Sequence, residues 1–112
     1  MSSPVPEVTV QEAADAAAGN SVLLLDVRED DEWEAGHARG AVHMPMGSLD
    51  PKQFQADVPV VAVCRSGNRS GTAAELLAQG GIDVVNMAGG MTAWAAAGLP
   101  VVAADGSAGE IV

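Results

Sequence analysis

The chain has few cysteines, aromatic residues and basic residues, and each scarcity excludes a class of protein. One of its 112 residues is cysteine, so no internal disulfide can form and the fold is not stapled as small secreted domains are. Aromatic residues make up 3% and hydrophobic residues 48%, so the core has to be packed from alanine, valine, leucine and methionine. That apolar content excludes a disordered chain, and the length suits one domain.

Basic residues are outnumbered by acidic ones, five to fifteen, and the formal net charge is −10. Nucleic acid and anionic membranes would be repelled, so we expect neither as a partner, whereas a basic protein would suit the acidic surface. The longest apolar run, Val22–Leu25, is too short to span a bilayer. Met1–Pro6 has no basic residue and no apolar stretch after it, so we expect no secretory signal and a cytoplasmic location.

Apolar runs alternate with helical patterns along the chain. Buried strands are predicted at Val22–Asp26, Val58–Val63 and Val84–Met87. Helices are predicted at Asp30–Ala35, Ser70–Gln79 and Met91–Ala97, and a capping box at Thr9 and Glu12 predicts another that ends at Gly19. This alternation predicts an α/β fold with a mostly parallel sheet covered on both faces and ligands at the carboxyl ends of its strands. The small and polar residues 103–112 predict a flexible tail.

The single cysteine, Cys64, lies where the second apolar run ends and a helix is predicted to begin. The loop that follows contains two of the five basic residues: it reads Cys64, Arg65, Ser66, Gly67, Asn68, Arg69, Ser70. A cysteine at a strand end is often an inert core residue, but such a residue gains nothing from a charged loop that contains glycine. Nearby arginines and a helix N-terminus lower a thiol pKa, and the small residues let backbone amides turn towards one anion. The pattern therefore favours a reactive thiolate.

Further motifs accompany this loop in order between about Val8 and Pro100. They are Asp26-Val27-Arg28, Glu32-Trp33, Gly36-His37, Gly40-Ala41, and Gly89-Gly90 with Trp94. Together with the loop, this series resembles the single-domain rhodaneses, a family of sulfurtransferases. The resemblance implies a doubly wound α/β domain over residues 1–102, with a mostly parallel sheet of about five strands and helices on both faces.

The resemblance also implies a mechanism, in which Cys64 takes the outer sulfur of a donor such as thiosulfate and holds it as a persulfide. A thiol, cyanide or a protein acceptor would then remove that sulfur. The amides of Arg65, Ser66, Gly67, Asn68, Arg69 and Ser70 would stabilise the charged sulfur. Arg65 is the favoured group for the donor's negative charge, and Arg69 is the second candidate. No cofactor is implied, and the spacing of His37 and His43 fits no standard metal site.

Three alternative functions stay open. The domain could relay sulfur between proteins, or it could be a noncatalytic interaction module, although inactive relatives commonly lose the cysteine. Phosphatase or arsenate chemistry is the third, but related enzymes of that kind place arginine after five intervening residues. Here four residues separate Cys64 from Arg69, and Ser70 stands at the phosphatase position. Without a second cysteine the acceptor has to be external, and we expect a monomer.

Four other groups of residues are expected to be structural. Asp26 should tie down neighbouring loops and Arg28 should pair with Glu32. Trp33 and Trp94 occupy positions of aromatic packing residues in the family, and His37 should serve in turn and packing. The acidic stretch 29–34 is interpreted as a solvated helix start that the helix dipole favours.

Overall fold

The computed structural model describes residues 5–112, so most of the segment that argues against a secretory signal lies outside the described residues. Within that range the chain forms four α-helices: α1 Val10–Ala18, α2 Asp30–Ala35, α3 Asn68–Gln79 and α4 Gly90–Ala96. Seven short strands alternate with them: β1 Glu7–Val8, β2 Leu23–Asp26, β3 His37–Ala38, β4 Val42–His43, β5 Val60–Val63, β6 Val84–Met87 and β7 Val101–Val102. A 3₁₀ turn occupies Met46–Ser48.

The main sheet of the described chain has five strands in the order β1-β6-β5-β2-β4, and every pair in it is parallel. Strands β3 and β7 form a small antiparallel pair beside it. The register aligns Asp26 with Val63 and Ala62 with Asn86, so the ends of β2, β5 and β6 lie together at the carboxyl edge. The predicted α/β fold with a mostly parallel sheet is therefore confirmed.

Each face of the sheet is covered by helices because successive strand residues point to opposite sides. On one side Val60, Ala62 and Cys64 pack with buried residues of α3, among them Leu77. On the other side Val61 and Val63 pack with α1 and α4, to which they are joined by the following buried residues: Ala13, Met87, Met91 and Trp94. The packing role expected for Trp94 is confirmed, and the indole also donates to the carbonyl of Pro100 at 2.9 Å.

The helix bounds follow the predicted caps closely. The Thr9 and Glu12 capping box is present, and α1 ends at Gly19 as expected. Helix α3 begins two residues before the predicted Ser70, because the left-handed Gly67 rather than a side chain ends the preceding loop. No helix among residues 5–112 is long and apolar enough to cross a membrane.

Arg28 pairs with Asp26, and the predicted pair of Arg28 with Glu32 was wrong. The guanidinium donates from Nε and Nη2 to the Asp26 carboxylate at 2.8–3.1 Å, and Nη2 also donates to the carbonyl of Gly36 at 2.7 Å. Both residues are 0% exposed. Arg28 follows Asp26 by two positions, and this spacing lets the side chain fold back on β2 while it fastens the end of α2.

Residues 103–112 return across the domain after β7. The amide of Ala103 donates to the carbonyl of Ser107 at 2.8 Å, and the amide of Glu110 donates to the carbonyl of Ala35 at 3.0 Å. Ile111 packs against the core on the α1 and α4 side. The flexibility expected of this segment stays a prediction, although the segment is hydrogen-bonded to the domain and packs on its core through Ile111.

The buried Asp26 and Arg28 pair predicts a large loss of stability when one partner alone is removed. Arg28→Met should lower the free energy of unfolding by about 3–5 kcal/mol, because a buried carboxylate is left without its counter-charge. Urea unfolding measures this loss, and Arg39→Met at an exposed position is the control. The double variant Asp26→Leu/Arg28→Met should recover most of the loss. A single variant within about 1 kcal/mol of the parent would contradict the role of the pair.

Candidate active site

The Cys64 loop joins the carboxyl end of β5 to the amino end of α3. Gly67 precedes the first residue of α3 and has φ of +101°, a left-handed conformation that suits glycine. A side chain there would also meet the amide of Gly89, at 3.3 Å from an added Cβ. The sharp turn at Gly67 lets the loop curl around the sulfur before the helix begins.

The Cys64 sulfur accepts hydrogen bonds from its own loop. The amide of Gly67 donates to Sγ at 3.0 Å, and the hydroxyl of Ser70 lies 3.2 Å from Sγ. Burial raises the pKa of the thiol, but the Ser70 hydroxyl and the amides of Ser70, Gly67 and Ser66 lower it by more in sum. The pKa of Cys64 therefore lies below its ordinary value, so the loop favours the thiolate through hydrogen bonds.

Helix α4 holds the outer side of the same loop. The amide of Met91 donates to the carbonyl of Cys64 at 2.8 Å, and the amide of Thr92 donates to the carbonyl of Arg65 at 2.9 Å. These amides belong to the first turn of α4 and have no partner within the helix. Gly90 permits the approach, because a Cβ at this residue would clash with the carbonyl of Cys64 and lie 2.5 Å from that of Arg65.

Asn86 of β6 connects two groups that touch the sulfur. Its Oδ1 lies 2.6 Å from the Ser70 hydroxyl, and its Nδ2 donates to the carbonyl of Gly67 at 3.0 Å. Nδ2 also donates to the carboxylate of Glu7 at 3.2 Å. Ser70 is fully buried and Asn86 is 4% exposed, so this network is largely shielded from water.

The two loop arginines have different surroundings. Arg69 makes a bidentate pair with Glu32 of α2, with N–O distances of 2.7 and 2.8 Å. The hydrogen bond from Arg69 lowers the pKa of Glu32 to about 2, against a smaller opposing effect of burial, so Glu32 is ionised at neutral pH. Arg65 is exposed, and within residues 5–112 its side chain makes no ion pair. Arg65 is thus the loop cation whose charge is not already matched.

The two histidines stack on Trp33 instead of meeting the cysteine. The ring of Trp33 lies 3.6 Å from that of His37 and 4.8 Å from that of His43, centre to centre, with nearly parallel planes. His43 also donates to the carbonyl of Arg28 at 2.8 Å. No group of acidic, histidine and cysteine side chains in the described chain could hold a metal ion.

The structure therefore brings together most of the residues that the loop pattern singled out, but it assigns them different positions. Gly67 and Ser70 contact the sulfur, Arg65, Ser66 and Asn68 lie on the exposed rim, and Arg69 turns to α2.

The sequence analysis did not predict the pairing of Glu32 with Arg69 or any role for Asn86. Glu32 belongs to the acidic stretch interpreted as a solvated helix start, and only its pairing with Arg69 shows otherwise. Asn86 is a polar residue at the end of an apolar strand that runs beside the cysteine strand, and that position was the available signal.

Comparisons with known proteins identify the family. A model of the rhodanese-like domain matches residues 9–97. The chain belongs to the rhodanese family. A protein from Bacillus subtilis named "Putative sulfurtransferase YtwF" is 40% identical over 79 residues, which are 69% of this chain and 77% of that protein. The crystal structure of a rhodanese-related protein from Thermoplasma volcanium superposes with a TM-score of 0.80 at 29% identity, covering 87% of this chain and 97% of that one.

A second relative is longer than this chain. An uncharacterized protein from Synechocystis is 40% identical over 86 residues, which are 74% of this chain but 48% of the relative. The chain therefore spans about half the length of that protein.

The contact between Gly90 and the loop predicts a specific defect in Gly90→Ala. The added methyl group should displace the rhodanese loop and lower the free energy of unfolding by about 2–4 kcal/mol, from overpacking and left-handed strain together. Gly98→Ala is the matched control, because Gly98 also has a positive φ, +76°, yet has nothing within 4 Å of an added Cβ. It should cost only the strain, about 1–2 kcal/mol.

Urea unfolding and the rate of Cys64 alkylation by iodoacetamide measure the two effects. We expect a changed alkylation rate in Gly90→Ala and an unchanged one in Gly98→Ala. Equal losses of stability and equal alkylation rates in the two variants would contradict a role of Gly90 in placing the loop.

Proposed function

We propose that this rhodanese domain is a sulfurtransferase that carries sulfane sulfur on Cys64. The observation that carries the proposal is the convergence of the Gly67 amide and the Ser70 hydroxyl on the Cys64 sulfur, with an unmatched arginine on the rim. Such a site stabilises a thiolate and gives an anionic donor a place to bind. The name of the Bacillus subtilis relative supports the same activity.

The reaction with thiosulfate has two displacement steps. The Cys64 thiolate attacks the outer sulfur of thiosulfate, a new S–S bond forms, and sulfite leaves with the electron pair of the bond that breaks. The outer sulfur of the resulting persulfide carries the negative charge. An acceptor thiolate or cyanide then attacks that sulfur and leaves Cys64 again as thiolate, so no oxidant, reductant or cofactor is consumed. Sulfite is a good leaving group, and no acid is needed.

Arg65 is proposed as the group that binds the donor's negative charge. Its side chain is exposed at the loop rim, whereas Glu32 already matches the charge of Arg69. Cys64 is 1% exposed, so the loop leaves little room for a bulky group at the sulfur. This restriction favours transfer of one sulfur atom over attack on a tetrahedral phosphate, and Ser70 occupies the position where related phosphatases place arginine.

A relay between proteins is the second candidate, and charge favours it. The domain carries a net charge of −10, and one of its two loop arginines is already neutralised. A dianion such as thiosulfate is attracted only weakly by the remaining positive charge of Arg65. A persulfide on a basic protein, in contrast, would be attracted by the acidic surface. An external acceptor, a monomeric state and a cytoplasmic location stay predictions for either candidate.

Sulfur loading of Cys64 is the direct test. After incubation with thiosulfate, the intact mass should rise by about 32 Da, the mass of one sulfur atom, and the gain should be absent in Cys64→Ser. A reducing agent should remove the added mass. If an organic persulfide loads the protein while thiosulfate does not, the relay is favoured. If neither donor loads it, the sulfurtransferase proposal is wrong.

The role of Arg65 predicts a selective effect on the anionic donor. Arg65→Gln should raise the KM for thiosulfate about fivefold, which corresponds to the loss of about 1 kcal/mol of binding. Steady-state production of thiocyanate from cyanide measures this change. Arg39→Gln removes the same charge from an exposed position outside the loop and is the control. Equal changes of KM in the two variants would mean that only the overall charge matters.

A further inference from the structure

The Ser70 hydroxyl has one hydrogen but three acceptors within reach. Asn86 Oδ1 lies 2.6 Å from Ser70 Oγ, Cys64 Sγ lies 3.2 Å away, and the carbonyl of Gly67 lies 3.3 Å away. A hydroxyl donates only one hydrogen bond at a time. The three contacts therefore cannot all be made by donation from Ser70.

The orientation of Asn86 decides which contact needs that hydrogen. Asn86 Nδ2 faces the carbonyl of Gly67 and the carboxylate of Glu7, and both of these groups only accept. Oδ1 therefore faces Ser70, and an amide oxygen also only accepts. The shortest of the three contacts thus takes the Ser70 hydrogen. Cys64 can join this arrangement as a neutral thiol, because its S–H can donate to Ser70 Oγ.

Ionisation of Cys64 reverses the requirement. The proton of the thiol goes to water, and the thiolate can only accept, so it needs the hydrogen of Ser70 for itself. Ser70 Oγ and Asn86 Oδ1 are then two acceptors at close range with no hydrogen between them, which is costly in a buried site. We propose that Asn86 is a positioning residue that competes with the Cys64 sulfur for the single hydroxyl hydrogen of Ser70 and so limits how readily Cys64 ionises.

The inference rests on the proposed role of Cys64 as nucleophile, and it adds a consequence for the catalytic cycle. When Cys64 carries a persulfide, the negative charge lies on the outer sulfur and no longer on Sγ. The Ser70 hydrogen is then free to return to Asn86. Asn86 thus disfavours the unloaded thiolate. Because the contact between Ser70 and Asn86 is restored when Cys64 carries the added sulfur, this arrangement favours the persulfide over the thiolate.

Four charged side chains have to be considered around Cys64, two of them from its own loop. Arg69 of α3 is paired with Glu32 of α2, Arg65 lies on the rim, and Glu7 of β1 acts through Asn86. Replacement of Asn86 by leucine, which has the same number and branching of side-chain heavy atoms, changes none of these charges. A change in the titration of Cys64 in that variant therefore reports the hydrogen bonds.

The test is the pH dependence of Cys64 alkylation by iodoacetamide, measured without any sulfur donor. In Asn86→Leu the pKa of Cys64 should fall by about half a unit to one unit, the worth of one hydrogen bond. Thr72→Ala is the matched control, because Thr72 lines the same cavity of ≈ 420 Å³ as Asn86 but its hydroxyl contacts only the carbonyl of Asn68. The pKa of Cys64 in Thr72→Ala should equal that in the parent protein.

A double variant separates the Ser70 contact from the Gly67 contact. Ser70→Ala alone should raise the pKa of Cys64, because one donor to the thiolate is lost. In the Ser70→Ala background, Asn86→Leu should then cause no further change. An unchanged or raised pKa of Cys64 in Asn86→Leu alone would overturn the inference. An equal fall of this pKa in the Ser70→Ala background would also overturn it, and would assign the effect to the contact between Asn86 and Gly67.

The unaltered protein offers a second measurement that needs no folded variant. The NMR signals of the Asn86 side-chain amide should move with the same pKa as the alkylation of Cys64, because Oδ1 loses its hydrogen bond as the thiolate forms. Signals that stay in place through the titration would also overturn the inference. Both measurements are made without sulfur transfer, so they fail or succeed independently of persulfide formation.

Discussion

The site depends on one constraint: the peptide amides of the Cys64 loop can point at the sulfur only if the peptide carbonyls are satisfied on the outside. Each peptide that turns its N–H inward presents its C=O outward, and a buried carbonyl without a donor is costly. Three carbonyls of the loop have donors of this kind, and that of Arg65 shares its peptide with the Ser66 amide that lowers the pKa of Cys64. Those of Cys64 and Arg65 accept from the amides of Met91 and Thr92, and that of Gly67 accepts from Asn86 and from its own helix at Gly71.

This requirement explains why residues far from the cysteine in sequence belong to the site. Helix α4 contributes amides that its own first turn leaves without partners, and Gly90 lets the backbone come close enough to use them. Strand β6 contributes Asn86 because it lies beside β5 in the sheet, with Asn86 aligned to Ala62. The parallel sheet thus does more than carry the loop, since its neighbouring strand ends also supply the donors that hold it.

The sequence predicted the architecture and the position of Cys64 because both follow from local patterns. Apolar runs, caps and glycines mark the strands and helices, and the cysteine follows directly on a buried run. The partners of charged side chains were not predictable in this way. Arg28 could reach Asp26 two residues before it or Glu32 four residues after it, and only the fold shows that Glu32 is taken by Arg69, 37 positions away. Asn86 was missed for the same reason, since its partners lie on a different strand and in a loop.

Hydrogen bonds rather than net charge stabilise the Cys64 thiolate, and this difference has consequences for the proposed cycle. Stabilisation by the Gly67 amide and the Ser70 hydroxyl operates at contact distance inside a buried loop, so salt screens it little. In the proposed cycle, sulfur loading would move the negative charge from Sγ to the outer sulfur of the persulfide, about one S–S bond length, ~2 Å, away. Ser70 would then lose its charged acceptor, and Arg65 is the loop cation left to match the charge of the outer sulfur. In the proposed cycle the inner donors would thus act on the unloaded sulfur and the loop cation on the loaded one, and a short loop with a single unmatched arginine would serve both states.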